Sequence, residues 1–145
     1  MFEKVLWATD GSDAADHALP YARTLAQQSG GELFVIHVTE LLQAGKGGGA
    51  FPDHADEPDL VGKIERQVAD LSAAGVPTKL EEATLFAGGA AHAIADAARE
   101  RGADIIVVGT RGRTALSGLL LGSVTQRLLH IAPCPVLAVP PAGAR

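Results

Sequence analysis

Three glycines at a fixed spacing are the residues of this sequence best suited to hold a ligand. Gly109 and Gly112 are followed, after nine further residues, by Gly122 and Ser123. A glycine lets backbone amides approach an oxyanion without a Cβ in the way. Gly122 and Ser123 open a predicted helix, whose first amides are unpaired and lie at the positive end of the helix dipole. The spacing therefore indicates an anion-binding site.

Two arginines, Arg111 and Arg113, add cations beside these glycines. Each charge-assisted hydrogen bond to an anion contributes about 1.5–3 kcal/mol. Four or five of them, less the cost of ordering, are compatible with micromolar binding of a polyphosphate, about −8 kcal/mol. The alternative is an ordinary strand–turn–helix with glycine caps, and the spacing alone leaves both open.

Two further candidates stand at predicted strand ends, where open α/β sheets bind ligands at the point of strand-order reversal. Asp10 follows the first strand and can accept hydrogen bonds from ribose hydroxyls, help to hold a metal ion, or simply cap the next helix. Val38 ends the second strand and either offers backbone groups to a base edge or is a plain core valine.

The elements that position these residues alternate along the chain. Short apolar runs predict strands, and stripes of small apolar residues at helical spacing, beginning after Ser12 or Asp13, predict helices. We expect an α/β domain over residues 1–145, with a parallel sheet covered on both faces. The polar, alternating third strand suits a sheet edge. The expected strands are Lys4–Ala8, Glu32–Val38, Pro77–Leu85, Asp104–Gly109 and Val136–Val139, and the later helices include Ala90–Arg101 and Ser123–Ile131.

A segment of different composition, Leu41–Pro58, interrupts this alternation. It is rich in glycine and proline and is predicted to be a mobile loop, either a lid or a linker. Its glycines around Lys46 lack the spacing of a phosphate-binding P-loop.

Composition excludes several classes of partner. The chain has 145 residues, with 12 basic against 17 acidic residues and a net charge of −5, which gives no general electrostatic reason to bind nucleic acid or an anionic membrane. No apolar stretch approaches the roughly 20 residues of a membrane span, and the start of the chain lacks the pattern of a signal peptide. The single cysteine, Cys134, fits a reducing compartment. We therefore expect a cytoplasmic protein.

Two stretches of the sequence together resemble one known family. The stretch ADIIVVGTRGRTALSGLLLGSVTQRLLHIAPCPVLAVP, from Ala103 to Pro140, resembles the C-terminal signature of the universal stress proteins, and VLWATDGSDAADHALPYA, from Val5 to Ala22, resembles their N-terminal one. The resemblance covers essentially the whole chain and is weakest from Leu41 to Pro58. It implies a Rossmann-like, adenine nucleotide alpha hydrolase-like fold, an open five-stranded parallel sheet in the order 3-2-1-4-5.

The resemblance also implies a ligand. Gly109, Gly112, Gly122 and Ser123 match the G-x2-G-x9-G-S/T motif of the ATP-binding branch of the family. By position, the resemblance implies that the phosphates are held by Gly112, Gly122, Ser123 and Val124. The turn at the ribose and phosphates is then formed by Gly109 and Thr110, with Arg111 beside them. The nucleoside contacts Ala8, Thr9 and Asp10, and the backbone of Val38 forms a hydrogen bond with adenine. A divalent ion, Mg²⁺ or Mn²⁺, is expected on the phosphates. The family usually dimerises through its last strand, here Val136 to Val139.

These expectations leave a regulatory ATP-binding protein and a slow ATPase or nucleotidyl-transfer enzyme as the two main hypotheses. Hydrolysis needs a positioned water and a base, and Asp10 is the one acidic residue near the proposed phosphate site. A phospho-acceptor receiver domain needs an Asp after the third strand, where Leu85-Phe86-Ala87 stand instead. A flavin protein is disfavoured because aromatic residues are only 4% of the chain.

Overall fold

Strands and helices alternate along the chain as the sequence predicts. A computed structural model describes residues 1–43, 50–52, 57–86, 89–111 and 121–141. In chain order the described elements are β1 (Lys4–Thr9), α1 (Asp13–Ser29), β2 (Glu32–Gln43), β3 (Ala50–Pro52), α2 (Glu57–Ala73), β4 (Thr78–Phe86), α3 (Ala90–Arg101), β5 (Ile105–Gly109), α4 (Ser123–Ile131) and β6 (Val136–Val139).

Five of the described strands form one parallel sheet in the order β4-β2-β1-β5-β6. Counted among the parallel strands alone, this is the order 3-2-1-4-5, so the expected fold class is confirmed. The chain crosses from β1 to β2 on one side and later enters β5 on the other side of β1. The strand order therefore reverses between β1 and β5, which is where such sheets bind ligands.

The described residues of the segment expected to be a loop, Leu41–Pro58, lie in strands and a helix instead. β2 continues to Gln43 and pairs there with β3, an antiparallel strand, and α2 already begins at Glu57. Leu41 pairs with both Phe86 of β4 and Pro52 of β3, so β3 lies on the β1 side of β2, beyond the end of β1. There it takes up backbone groups of β2 that β1 is too short to reach. The rest of the expected loop, residues 44–49 and 53–56, lies outside the described residues.

The sheet is buried on both faces by alternating side chains. On one face Leu6, Phe34 and Ile106 pack under the alanines of α3 and Leu128 of α4. On the other face fully buried side chains, among them Trp7, pack under α1 and α2. Trp7 also donates from Nε1 to the carbonyl of Ala15 at 3.0 Å, which ties β1 to the first turn of α1.

The two outer parallel strands are β4 and β6. The expectation that the polar strand forms an edge is confirmed by β4. In the part of the chain that the structure describes, no helix has the length and apolar character needed to cross a membrane.

Candidate functional site

The site begins with a gap in the sheet at the carboxyl ends of its strands. β1 pairs with β2 as far as Thr9 and His37, and β5 pairs with β6 as far as Gly109 and Val139. Between β1 and β5, however, the ladder of described residues stops at Trp7 and Val107. The pairing of these two central strands therefore ends before the strands themselves do. We call the space beyond this last pair, at the switch point, the crevice.

The β1–α1 loop forms one wall of this crevice. Thr9 is buried, and its Oγ1 accepts a hydrogen bond from the Gly11 amide at 3.0 Å. Asp10 Oδ1 accepts from the Ser12 amide, also at 3.0 Å. The tight turn needs a φ of 82° at Gly11, a left-handed conformation that favours glycine. One oxygen of the Asp10 carboxylate is thus held by the backbone of this loop, at the carboxyl end of β1.

The end of β5 forms the opposite wall. A Cβ on Gly109 would lie 2.8 Å from the carbonyl oxygen of Ala14, so only glycine lets β5 approach α1 this closely. Thr125 Oγ1 donates to the Gly109 carbonyl at 2.9 Å, and the Gly122 amide donates to the Thr110 carbonyl at 2.6 Å. These bonds fix the start of α4 beside the end of β5.

The first turn of α4 is open toward a ligand. Gly122 is the N-cap residue and supplies no side-chain cap, and the first described bond of the helix ladder runs from the Gln126 amide to the Gly122 carbonyl. The amides of Ser123 and Val124 therefore precede the ladder and carry the positive end of the helix dipole. Ser123 is exposed and Val124 is half-buried.

Arg111 adds a positive charge at the end of β5. Its Nε is buried and has no hydrogen-bond partner among the described residues. A buried polar group that stays unpaired costs free energy, so the guanidinium is suited to an acceptor that a ligand supplies. The site therefore has two electrostatic halves, a positive one at Arg111 and α4 and a negative one at Asp10.

Val38 lies where a base edge can reach its backbone. The Glu32 amide donates to the carbonyl of Glu3, so by strand alternation the even-numbered residues of β2 direct their backbone groups toward β1. β1 ends at Thr9, which pairs with His37 of β2, and Val38 is the next residue of β2. Its carbonyl therefore faces the space at the end of β1, although its side chain belongs to the core.

The structure places all but two of the residues expected from the sequence at the same edge of the sheet. Gly112 lies outside the described residues, as does Arg113. Those at the edge are Ala8, Thr9, Asp10, Val38, Gly109, Thr110, Arg111, Gly122, Ser123 and Val124.

Sequence reasoning missed three residues that shape the site. Thr125 locks α4 to Gly109, while Leu60 and Lys63 of α2 contact Gly11. Thr125 gave no signal beyond its place near the glycine motif. Lys63 is next to Ile64, a buried residue of α2. This neighbour indicates that the aliphatic part of the Lys63 side chain is partly covered, but it does not indicate which group the ammonium binds.

No cluster of three or more histidine, cysteine, aspartate or glutamate side chains fit to hold a metal occurs among the described residues. A metal site formed by these protein side chains alone is therefore not part of the described structure.

The fold and the site define a doubly wound α/β protein with a ligand crevice at its switch point. Comparison with known proteins gives the family. The model of the universal stress protein family matches residues 1–140, and the chain belongs to this family. A universal stress protein of Thermus aquaticus, named for its place in the 3′ region of a QAH/OAS sulfhydrylase, is 38% identical, with 96% of this chain and 99% of that protein covered.

Solved structures agree in fold. Hypothetical protein MJ0577 superposes with a TM-score of 0.80 over 99% of both chains at 24% identity. A universal stress protein in complex with cAMP gives 0.64 at 26% identity, covering 97% of this chain and 98% of the other. The universal stress protein from Archaeoglobus fulgidus in complex with dAMP gives 0.63 at 27% identity, covering 95% and 97%.

Proposed function

We propose that this universal stress protein binds ATP in the crevice between β1 and β5 and acts in the cytoplasm as a nucleotide-dependent regulator. One observation carries the proposal: the uncapped start of α4 is bonded to the end of β5, and Arg111, two residues beyond that strand, has a buried Nε with no hydrogen-bond partner among the described residues. Both groups are donors with positive character, and a polyphosphate supplies the acceptors.

The phosphates rest on the positive half of the site. The amides of Ser123 and Val124 face them, Gly122 borders them at the start of α4, and Gly109, Thr110 and Arg111 border them at the end of β5. Gly112 completes the G-x2-G-x9-G-S motif in the sequence, and we assign it the same role. Because glycines at these positions carry no Cβ, the oxyanions can approach the backbone closely.

The nucleoside occupies the other half. Asp10 accepts hydrogen bonds from the ribose hydroxyls, and Ala8 and Thr9 border the sugar and the base. Adenine carries an amino donor on its edge, which suits the carbonyl of Val38 at the end of β1. Since the described wall of the crevice is aliphatic rather than aromatic, the base is held by contact and backbone bonding rather than by ring stacking.

A divalent ion, Mg²⁺ or Mn²⁺, is part of the proposal through the ligand. The described residues offer no metal cluster of their own, so the ion would be held mainly by phosphate oxygens, as magnesium sites in nucleotide proteins commonly are. Asp10 is the nearest side chain of suitable chemistry. The ion would neutralise part of the phosphate charge.

The structural neighbours support a nucleotide rather than a free phosphate, because two of them hold cAMP or dAMP. Both ligands share adenine and a sugar with ATP, and the Asp10 and Val38 side of the crevice is the part suited to recognise them.

A second candidate, slow ATP hydrolysis or nucleotidyl transfer, is favoured by one observation. Asp10 places a carboxylate at the rim of the site, where a base would be needed. Mass spectrometry of the nucleotide after incubation with purified protein separates the two functions. Accumulation of ADP above the no-protein control supports hydrolysis, and unchanged ATP supports the regulator.

We also propose that two copies pair through β6. This strand ends the described sheet on one side and is apolar and half-buried at Val136, Leu137 and Ala138. An apolar edge strand presents unpaired backbone groups that can pair with the same strand of a second chain.

ATP binding is tested by calorimetric titration of the wild type against Gly122→Val. The backbone at Gly122 has φ −70° and ψ 162°, which any residue adopts, so valine is compatible with this backbone conformation, and we expect its side chain to crowd the first amides of α4. We expect micromolar binding to the wild type and none to the variant. Equal affinity for both proteins would refute the proposed phosphate site.

A further inference from the structure

We propose that Lys63 of α2 is a positioning residue of the nucleotide site, which orients the Asp10 carboxylate toward the ribose without touching the ligand itself. The inference rests on the proposed function and deepens it, because it assigns sugar recognition to a contact between α2 and the β1–α1 loop.

The Lys63 ammonium is held between two acceptors. Its Nζ donates to the carbonyl of Gly11 at 3.0 Å and forms an ion pair with the carboxylate of Asp16 on α1. Gln67, one turn further along α2, donates from Nε2 to Asp16 Oδ1 at 2.9 Å. The Lys63 and Asp16 side chains are 32% and 28% exposed, so both are largely covered. The ammonium is thereby aimed at the Gly11 carbonyl rather than left free in solvent.

A single peptide group links this contact to Asp10. The Gly11 carbonyl and the Ser12 amide belong to the same planar unit, so one cannot turn without the other. Lys63 holds the oxygen of this unit, and Asp10 Oδ1 accepts from its N–H at 3.0 Å. If the carbonyl is released, the plane can rotate and the hydrogen bond that orients Asp10 is lost.

The apolar part of α2 supports the same turn. A Cβ on Gly11 would meet Leu60 Cδ2 at 2.7 Å, so Leu60 packs directly over the glycine. Leu60 precedes Lys63 by nearly one helical turn, which puts both side chains on the same side of α2. Helix α2 therefore covers Gly11 with a leucine and fixes its carbonyl with a lysine.

The test compares the preference for ATP over 2′,3′-dideoxy-ATP, measured by calorimetry. Removing both ribose hydroxyls leaves the phosphates and base unchanged, so the ratio of the two affinities reports sugar recognition alone. A lost charge near the phosphates affects both ligands equally and cancels in this ratio. We expect the wild type to prefer ATP by about tenfold or more, as one hydrogen bond to a carboxylate gives.

The variants are Lys63→Met, Lys63→Arg and, as a matched control for lost charge on the same helix, Arg66→Met, since Arg66 is exposed. Lys63→Met is expected to lower the preference several-fold toward equal affinities. Lys63→Arg, which keeps a donor for the Gly11 carbonyl, is expected to retain most of it, and Arg66→Met all of it. Circular dichroism verifies that each variant is folded.

A second measurement, hydrogen exchange of the Ser12 amide, follows the loop without any ligand. We expect faster exchange in Lys63→Met than in the wild type or in Arg66→Met. If the preference and the exchange rate of Lys63→Met both match the wild type, the inference is overturned while ATP binding stands. If the wild type fails to bind ATP at all, the proposed function is refuted and the inference with it.

Discussion

At the scale of single residues, the site depends on groups that the fold leaves incompletely bonded. The Nε of Arg111 is buried without a partner in the described structure, and the amides of Ser123 and Val124 precede the helix ladder. A fold tolerates such unpaired donors when a ligand supplies their hydrogen-bond acceptors. In the proposed function these atoms, rather than the net charge of −5, select the anion.

Replacing Arg111 with alanine is expected to weaken ATP binding by about 10- to 100-fold, because a charge-assisted hydrogen bond contributes about 1.5–3 kcal/mol. Adenosine lacks phosphates, so its affinity should change little. Calorimetry with both ligands measures the difference. Arg127→Ala, which removes an exposed arginine of α4, is the matched control, and equal losses for ATP and adenosine in Arg111→Ala would contradict the role.

Cys134 shows how burial acts on a single group away from the site. Burial raises the pKa of the Cys134 thiol above its ordinary 9.0, and the Asp104 carboxylate raises it further, while a hydrogen bond with the Ile106 backbone lowers it. The unfolded chain therefore ionises this thiol at a lower pH than the folded protein does. Its contribution to stability is complete below the unfolded pKa and is lost as the pH rises toward the folded one.

We accordingly expect the free energy of unfolding to fall between about pH 8 and pH 10 by more in the wild type than in Cys134→Ala. Urea unfolding of both proteins at matched pH values gives the difference, in which all other titrating groups cancel. Parallel pH curves would show that the thiol is not perturbed.

At the scale of elements, β1, α1, β5 and α4 position the site through their ends. Much of this could be predicted from the sequence: Ser123–Ile131 and Val136–Val139 have the expected bounds. The short strand β3 could not, because the glycines and prolines around it hide an antiparallel pairing that depends on the length of β2. Nor could the contact of Lys63 with Gly11, since it joins residues 52 positions apart whose meeting is set by the packing of α2 against α1.

The N-cap of α1 gives a prediction at this scale. Ser12 Oγ accepts from the Ala15 amide at 3.2 Å and so satisfies one of the first amides of the helix. Ser12→Ala is expected to lower the free energy of unfolding by about 0.5–2 kcal/mol. Ser72→Ala, at an exposed position of α2, is the control and should stay within about 0.5 kcal/mol of the wild type. Equal stability of the two variants, measured by denaturant unfolding, would contradict the capping role.

At the scale of the whole molecule, the order of the parallel strands creates both the crevice and the free edge. The alternation of strands and helices predicted a parallel sheet, whereas the order 3-2-1-4-5 came only from the resemblance to universal stress proteins. Periodicity carries no information about which strands are neighbours, because that depends on long-range packing. The carbonyls of Pro135 and Val139 accept from the amides of Ile106 and Thr110, so by alternation the amides of Val136 and Ala138 face the outer side.

The outward amide of Ala138 provides a test of pairing through β6. Ala138→Pro removes a donor that the sheet itself does not use, so the monomer should fold while the dimer is lost. Glu82→Pro makes the same change on β4, the opposite edge of the parallel sheet. The Leu33 amide donates to the Pro77 carbonyl, so the odd-numbered residues of β4 face β2 and the amide of Glu82 points outward. Sedimentation velocity should show monomers for Ala138→Pro and dimers for Glu82→Pro and the wild type. A dimer in Ala138→Pro would exclude this edge.

Nucleotide binding between β1 and β5 is tested most directly by an amide chemical-shift titration of the isotope-labelled protein with ATP. We expect the largest shifts at Asp10 and Gly109, at the ends of β1 and β5, and at Gly122 and Ser123, at the start of α4. The open groove lined by Asp13, His17 and Pro20 of α1 and by Pro141 serves as the internal comparison. Shifts confined to that groove, or no shifts at all, would contradict a nucleotide site between β1 and β5.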